Sequence, residues 1–220
     1  MTEWTNQRWI DLLRAIGSPG APAGARLCSL AVQASQGWTD LAPFLHWRIR
    51  RAGLRLPQSE ETPPDRPAFG WDAALWRACA GDPTAAQVIL DEISVSSPDR
   101  CPADAGALLP QGLHRAIEVW TETELASLHA LWWLARLRDH EAWRERVLRA
   151  ARWHLIHLQP DNATNRPWAI HLFAHLASHD GDAEAAMYAQ TLLHNCQVHR
   201  GRPDEISSLI LIDAAEALAN

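Results

Sequence analysis

Apolar and polar positions along this chain repeat with the period of a helix almost throughout, and the alternation expected of strands is nearly absent. Trp9, Leu12, Leu13 and Ile16 fall at i, i+3, i+4 and i+7, one face of a helix that Gly17 stops. A second helix is expected from about Ala25 to Ser35. Thr39 can cap a third, with Leu41, Phe44 and Leu45 inward, arginines in its last turns and Gly53 as terminator. Helices are then expected from Pro67 to Ala80 and from Pro83 to about Val95, between two long loops rich in proline and polar residues.

The second half is more regular. A short helix is expected over Leu113 to Trp120, and Thr121 with Glu124 fits the capping box S/T-x-x-E, opening a new helix to about Arg138. Trp143, Val147, Ala150, Ala151, His154, Leu155 and Leu158 mark one face of the next. Asp182 caps a helix predicted to stop at Gly201, and a final one spans about Glu205 to Leu218. The pattern predicts an all-α fold of about ten or eleven helices in antiparallel hairpins, one domain over residues 1–220 with two halves divided near residue 105.

The stretch NRPWAIHLFAHLASHDGD, Asn165 to Asp182, holds no Asp, Glu, Lys or Arg between Pro167 and Ser178. A helix that is apolar all round belongs in the interior. His171, His175 and His179 nevertheless recur every four residues, so they share one stripe of that helix. One hundred positions earlier, DRPAFGWDAALWRACAGD has the same outline: Asp65-Arg66-Pro67 matches Asn165-Arg166-Pro167, and Gly81-Asp82 matches Gly181-Asp182. Either an internal duplication or coincident cap-and-stop chemistry accounts for this. The echo does not extend to the histidines, since Trp71, Leu75 and Cys79 stand in their places.

Composition narrows the function classes. All 20 cationic residues are arginine, and without lysine the chain has no P-loop, no Schiff-base lysine for PLP and no kinase strand lysine. The net charge of −6 argues against a nucleic-acid partner. Clusters at Arg48, Arg50, Arg51 and Arg55, and at Arg144, Arg146, Arg149 and Arg152, read as solvated helix faces. Twelve Trp against one Tyr and three Phe suit packing between helices, or stacking on a flat ligand. No apolar signal region follows MTEWTNQRW, no run is long enough to span a bilayer, and Cys28, Cys79, Cys101 and Cys196 form no CxxC pair. These features predict a cytoplasmic protein with reduced thiols and no membrane partner.

Three groups are candidates for chemistry. His171 and His175, at i and i+4, can share zinc or another divalent metal if a third ligand arrives from His154, His157 or Asp161. They equally suit a ligand cleft, or a core in which each imidazole is satisfied locally. The turn QPDNATNRPW collects Asp161, Asn162, Asn165, Arg166 and Trp168 at the mouth of the histidine helix, a setting for an anion or polyol, or simply turn chemistry with Arg166 paired to Asp161. Glu122, Glu124 and His129 make the third group, for which capping and core roles are expected.

The stretch RAARWHLIHLQPDNATNRPWAIHLFAHL resembles the repeat unit of the α/α-toroid superfamily, which includes terpenoid cyclases and protein prenyltransferases. There a helix ends in Gln, a polar turn follows, and Trp opens the next helix around a central cavity; Gln159 and Trp168 take those places here. Pro167 replaces the usual Gly before the Trp, and the acidic DxDD motif is absent from the chain. The resemblance implies a curved or partly closed array of hairpins. Three functions are expected on this footing: a binding module with a Trp- and His-lined cleft for a small molecule or protein partner; a toroid-type lyase, hydrolase or transferase with His171 or His175 as acid–base or metal ligand and Asp161 or Arg166 orienting substrate; or a scaffold that forms a homo-oligomer through its Trp surfaces.

Overall fold

The computed structural model describes residues 4–36, 41–55, 70–82, 84–95, 106–109, 116–158, 160, 165–198 and 200–219. Ten helices and no strand occur among them: α1 (Asn6–Gly17), α2 (Gly24–Gln36), α3 (Ala42–Arg51), α4 (Trp71–Cys79), α5 (Gln87–Val95), α6 (Ile117–Leu137), α7 (Glu141–His157), α8 (Ile170–His179), α9 (Ala183–Asn195) and α10 (Glu205–Ala219). None of them is long and apolar enough to cross a membrane. The expected cap at Thr39 and the expected helix starts at Pro67 and Pro83 lie outside the described residues.

Neighbours in sequence pack as neighbours in space for much of the chain: α2 on α3, α3 on α4, α6 on α7, and α8 on α9, while α4 packs on α6 past α5. A longer-range closure links the two ends of the described chain, because α10 packs against α1 and α8. Gly17 makes that approach possible, since a Cβ there would sit 3.0 Å from both the Leu211 Cβ and the Ser208 carbonyl. One apolar core draws on all ten helices, with Trp9, Trp76, Phe44 and Phe173 among its fully buried side chains. Each contributes on the order of 2–3 kcal/mol by leaving water.

Three helices carry most of that core. In α6, every residue from Leu125 to Ala135 is buried, in α8 only His175, Ser178 and His179 reach solvent, and α10 is buried over most of its length. The interior position expected for the charge-free 170–179 segment is therefore observed. The echo is visible as geometry too. Both α4 and α8 end at a glycine with positive φ, Gly81 at +105° and Gly181 at +67°. In each case the following aspartate caps the next turn: Asp82 Oδ1 accepts from the Thr84 N–H, and Asp182 Oδ1 from the N–H groups of Glu184 and Ala185.

Two expected boundaries are corrected. Residues 117–137 form one continuous helix, and Thr121 is inside it, its hydroxyl donating to the Ile117 carbonyl four residues back (2.8 Å) rather than capping anything. The S/T-x-x-E pattern is thus a mid-helix coincidence, and Glu124 is used elsewhere. α9 ends at Asn195 rather than Gly201, because the Gln197 and Val198 N–H groups bond three residues back and tighten the chain out of the helix.

Candidate functional site

The polar centre of the molecule is Asp213 on α10, a fully buried aspartate. One carboxylate oxygen accepts from the Arg48 guanidinium on α3; the other accepts from the Trp133 indole N–H and lies 3.1 Å from His129 Nε2, both on α6. Glu216, one turn further along α10, takes the second side of Arg48 at 2.9 and 3.1 Å. Burial alone would raise the Asp213 carboxyl, but Arg48 and His129 outweigh it and bring it down to about 2. For Arg48 the same balance runs the other way: burial opposes its charge, and Asp213 and Glu216 hold it on.

His129 is committed on both ring nitrogens. The Ala169 N–H donates to Nδ1 at 3.3 Å, so Nδ1 is an acceptor and Nε2 carries the proton that faces Asp213. An Asp–His pair is the usual support for a general base, yet here the nitrogen a substrate would need is taken by backbone. The pair instead fixes the entry to α8. Ala169 has a left-handed backbone, φ +55°, which costs an L-residue about 1–2 kcal/mol. The bond to His129 is one of the contacts that hold it there.

His171 follows two residues later and is fully buried, its ring 4.3 Å from that of His129 and 5.8 Å from that of Trp132, centroid to centroid. Neither of its nitrogens has a hydrogen-bond partner among the described residues, and the same holds for the Trp132 indole N–H. Burial first, then the neighbouring His129, His175 and Arg136, pushes the His171 pKa well below the usual histidine range. His175 is half-buried, its ring 5.7 Å from Trp132 on one side and stacked at 3.9 Å on the exposed His179 on the other. Burial and His179 lower it to about 4, against the opposing charge of Asp180. A line of rings therefore runs from the surface at His179 through His175, Trp132 and His171 to His129 and Asp213.

The other expected site residues divide. Trp168 is buried in the same cluster, edge-on to Phe44 at 5.0 Å and to His129 at 5.7 Å. His154 is fully buried but belongs to a second group on α7: its Nδ1 lies 3.4 Å from the Tyr188 hydroxyl, and its Nε2, without a hydrogen bond, stands 3.7 Å from Glu124. Arg166 pairs with Glu122 at 3.3 Å, Asn165 and His157 are exposed, and Asp161 lies outside the described residues. The structure thus brings His171, His175 and Trp168 together around α6, and places His154, His157, Asn165 and Arg166 apart from them. Among the described residues no three His, Cys, Asp or Glu side chains are grouped to hold a metal.

Glu124 anchors that second group. Its two oxygens accept from the N–H groups of Leu108 and Leu109, at 2.6 and 2.7 Å, while Arg146 on α7 donates to the carbonyls of Gly106 and Ala107 at 3.0 and 2.5 Å. A four-residue strap is thereby held by its backbone. Arg48 and Arg146 are buried working parts of these two networks, which corrects their reading as members of solvated arginine faces. Nothing in their local pattern distinguishes them from the exposed Arg149 and Arg152. Comparison of the chain with protein-family models, curated proteins and solved structures gives no match.

Proposed function

We propose that the chain is a helical binding module for a small molecule, with its site centred on His171 between α6 and α8, an aromatic wall from Trp132 and a mouth at His175. The observation that carries this reading is the pair of unpartnered nitrogens on a fully buried imidazole. A buried polar atom left without a partner costs on the order of 1–3 kcal/mol, and native structures retain few of them. The other buried positions of α8, from Ile170 and Leu172 to Leu176 and Ala177, are all apolar, so the helix had an inexpensive alternative to histidine at this position. The packing of α10 onto α1 and α8 supports an array that closes on itself in the manner of an α/α toroid, with α6, α8 and α10 innermost.

Binding is favoured over proton-transfer chemistry on two counts. Both nitrogens of His129 are occupied, and an imidazole brought down to about 4, as at His175, is a weak general base at neutral pH. Nitrogen-edited NMR of the imidazoles against a library of small polar fragments tests the reading. Fragments that bind should shift the His171 and His175 ring signals and raise Tm, and His171→Phe should abolish both responses while the protein remains folded. A library in which no member moves His171, or one whose hits survive His171→Phe unchanged, would overturn it.

A further inference from the structure

The side chains around His171 also indicate the charge of what it binds, given the binding role proposed above. His129, Trp132 and Arg136 recur at i, i+3 and i+7 along α6; the first two set their rings against His171 and His175, at i and i+4 on α8, and the Arg136 guanidinium lies one turn on, 5.7 Å from the Trp133 ring. Hydrogen-bond donors predominate. The Trp132 indole is donor-only and unpartnered, Arg136 is donor-only, and a neutral imidazole brings one N–H. The bonded partner of Arg136 is the Ala217 carbonyl (2.6 Å), and no carboxylate pairs with it among the described residues. Arg51 and Arg144 also act on it, each with carboxylates of its own: Arg51 with Glu216, and Arg144 with Asp139 and Glu141. Asp213, the buried carboxylate bonded to His129, is already taken up by Arg48, Trp133 and His129.

We propose that the site takes a small organic carboxylate, its head group received by the Trp132 N–H and His171 with Arg136 behind, and its apolar body against the Trp132 ring. A neutral His171 can donate its one N–H to the carboxylate, but its second nitrogen stays unpartnered beside an added negative charge. Binding on this proposal draws one proton from solvent onto that nitrogen, turning the contact into a charge-assisted imidazolium–carboxylate pair. The titratable groups acting on His171 are His129 and Arg136 from α6 and His175 from α8. Asp213 of α10 is bonded to His129, while Arg152 of α7 and Asp180 act on His175.

Paired probes separate this inference from the reading on which it rests: acetate, hexanoate and benzoate, each against its amide, titrated by calorimetry in buffers of different ionisation enthalpy. The expected result is a carboxylate bound at least tenfold more tightly than its amide, with uptake of about one proton and shifts at His171 and Trp132. Arg136→Gln should weaken the carboxylate roughly tenfold and any amide by less, so that the preference for acid over amide narrows. Amides that bind as well as the acids, or acids that bind without proton uptake, overturn the anion assignment while leaving a His171 site in place. Silence of His171 toward both series overturns the assignment and, with the fragment library also silent, the binding module itself.

Discussion

His129 Nε2 meets Asp213 Oδ2 at 3.1 Å with both side chains sealed from solvent, and 84 positions of chain separate the two residues. The contact ties α6 to α10, and through the Ala169 N–H it reaches the start of α8 as well. Asparagine in place of Asp213 keeps one of the two oxygens, so either Arg48 is left with Glu216 alone or the His129 and Trp133 protons face an amide nitrogen. Asp213→Asn should cost about 3–5 kcal/mol in urea unfolding. Arg48→Met added to it should restore part of that loss, because the stranded charge is then gone.

Acid should destabilise the protein in two stages. An unfolded histidine protonates near its model value of 6.5, but folded His175 waits until about 4 and folded His171 is also held well below 6.5. Between those values the unfolded chain binds more protons, so stability falls as pH drops through that window. Asp213 follows: its contribution is present above the unfolded value of 3.8 and is lost as pH falls toward about 2, on the order of 2 kcal/mol. Urea midpoints measured from pH 8 to about pH 2 check both stages. Replacing His171 and His175 together with Phe should flatten the first and leave the second.

Capping supplies a clean contrast between two threonine- and aspartate-led turns. Thr121 lies mid-helix with its hydroxyl on the Ile117 carbonyl, so Thr121→Ala should change stability by less than about 0.5 kcal/mol. Asp182 accepts from two N–H groups at the start of α9, and Asp182→Ala should cost about 1 kcal/mol. Chemical denaturation resolves that difference. An equal loss at Thr121 would restore the capping-box reading.

Glu124→Gln should cost about 2 kcal/mol although it is nearly isosteric. The carboxylate accepts from two consecutive backbone N–H groups, and an amide brings one oxygen and a nitrogen that repels the second donor. Amide exchange at Leu108 and Leu109 should accelerate in the variant while the interior of α6 stays protected.

Gly106→Ala tests the strap from the other side. A Cβ at this position would fall 1.5 Å from Trp153 Cδ1, so either the indole or the backbone must shift. The expected cost is about 1–3 kcal/mol, with a change in the fluorescence of the Trp120–Trp153 pair, whose rings lie 6.3 Å apart.

The helices were legible because their evidence is local. Trp9 to Ile16 repeats with period 3.6 and ends at glycine, and the 167–178 stretch announces an interior helix by the charges it lacks. The site was half legible for the same reason. His171 and His175 share a stripe that any helical projection shows, whereas Asp213 sits in an unremarkable LIDAAEA run, 42 residues from His171. Glu124 was read as a cap because S/T-x-x-E also occurs inside long helices, where no terminus needs one. Arg48 and Arg146 are indistinguishable in pattern from solvated neighbours. Their roles are set by carboxylates and carbonyls that only tertiary folding brings within reach.

The order in which the chain is made gives the α1–α10 and Asp213 contacts a further meaning. Arg48, His129 and Trp133 all leave the ribosome well before residue 213, and so does Ala169. For that interval three buried donors and a left-handed alanine have no carboxylate to organise them, and the inner face of α8 has no α10 beside it. The nascent protein is therefore expected to dwell in a loosely packed, helical state until α10 emerges, when a single side chain satisfies α3 and α6 and, through His129, the entry to α8 in one step. Stalled chains ending before residue 205 should be cut readily by protease across α3, α6 and α8, and chains extended past 220 should resist abruptly.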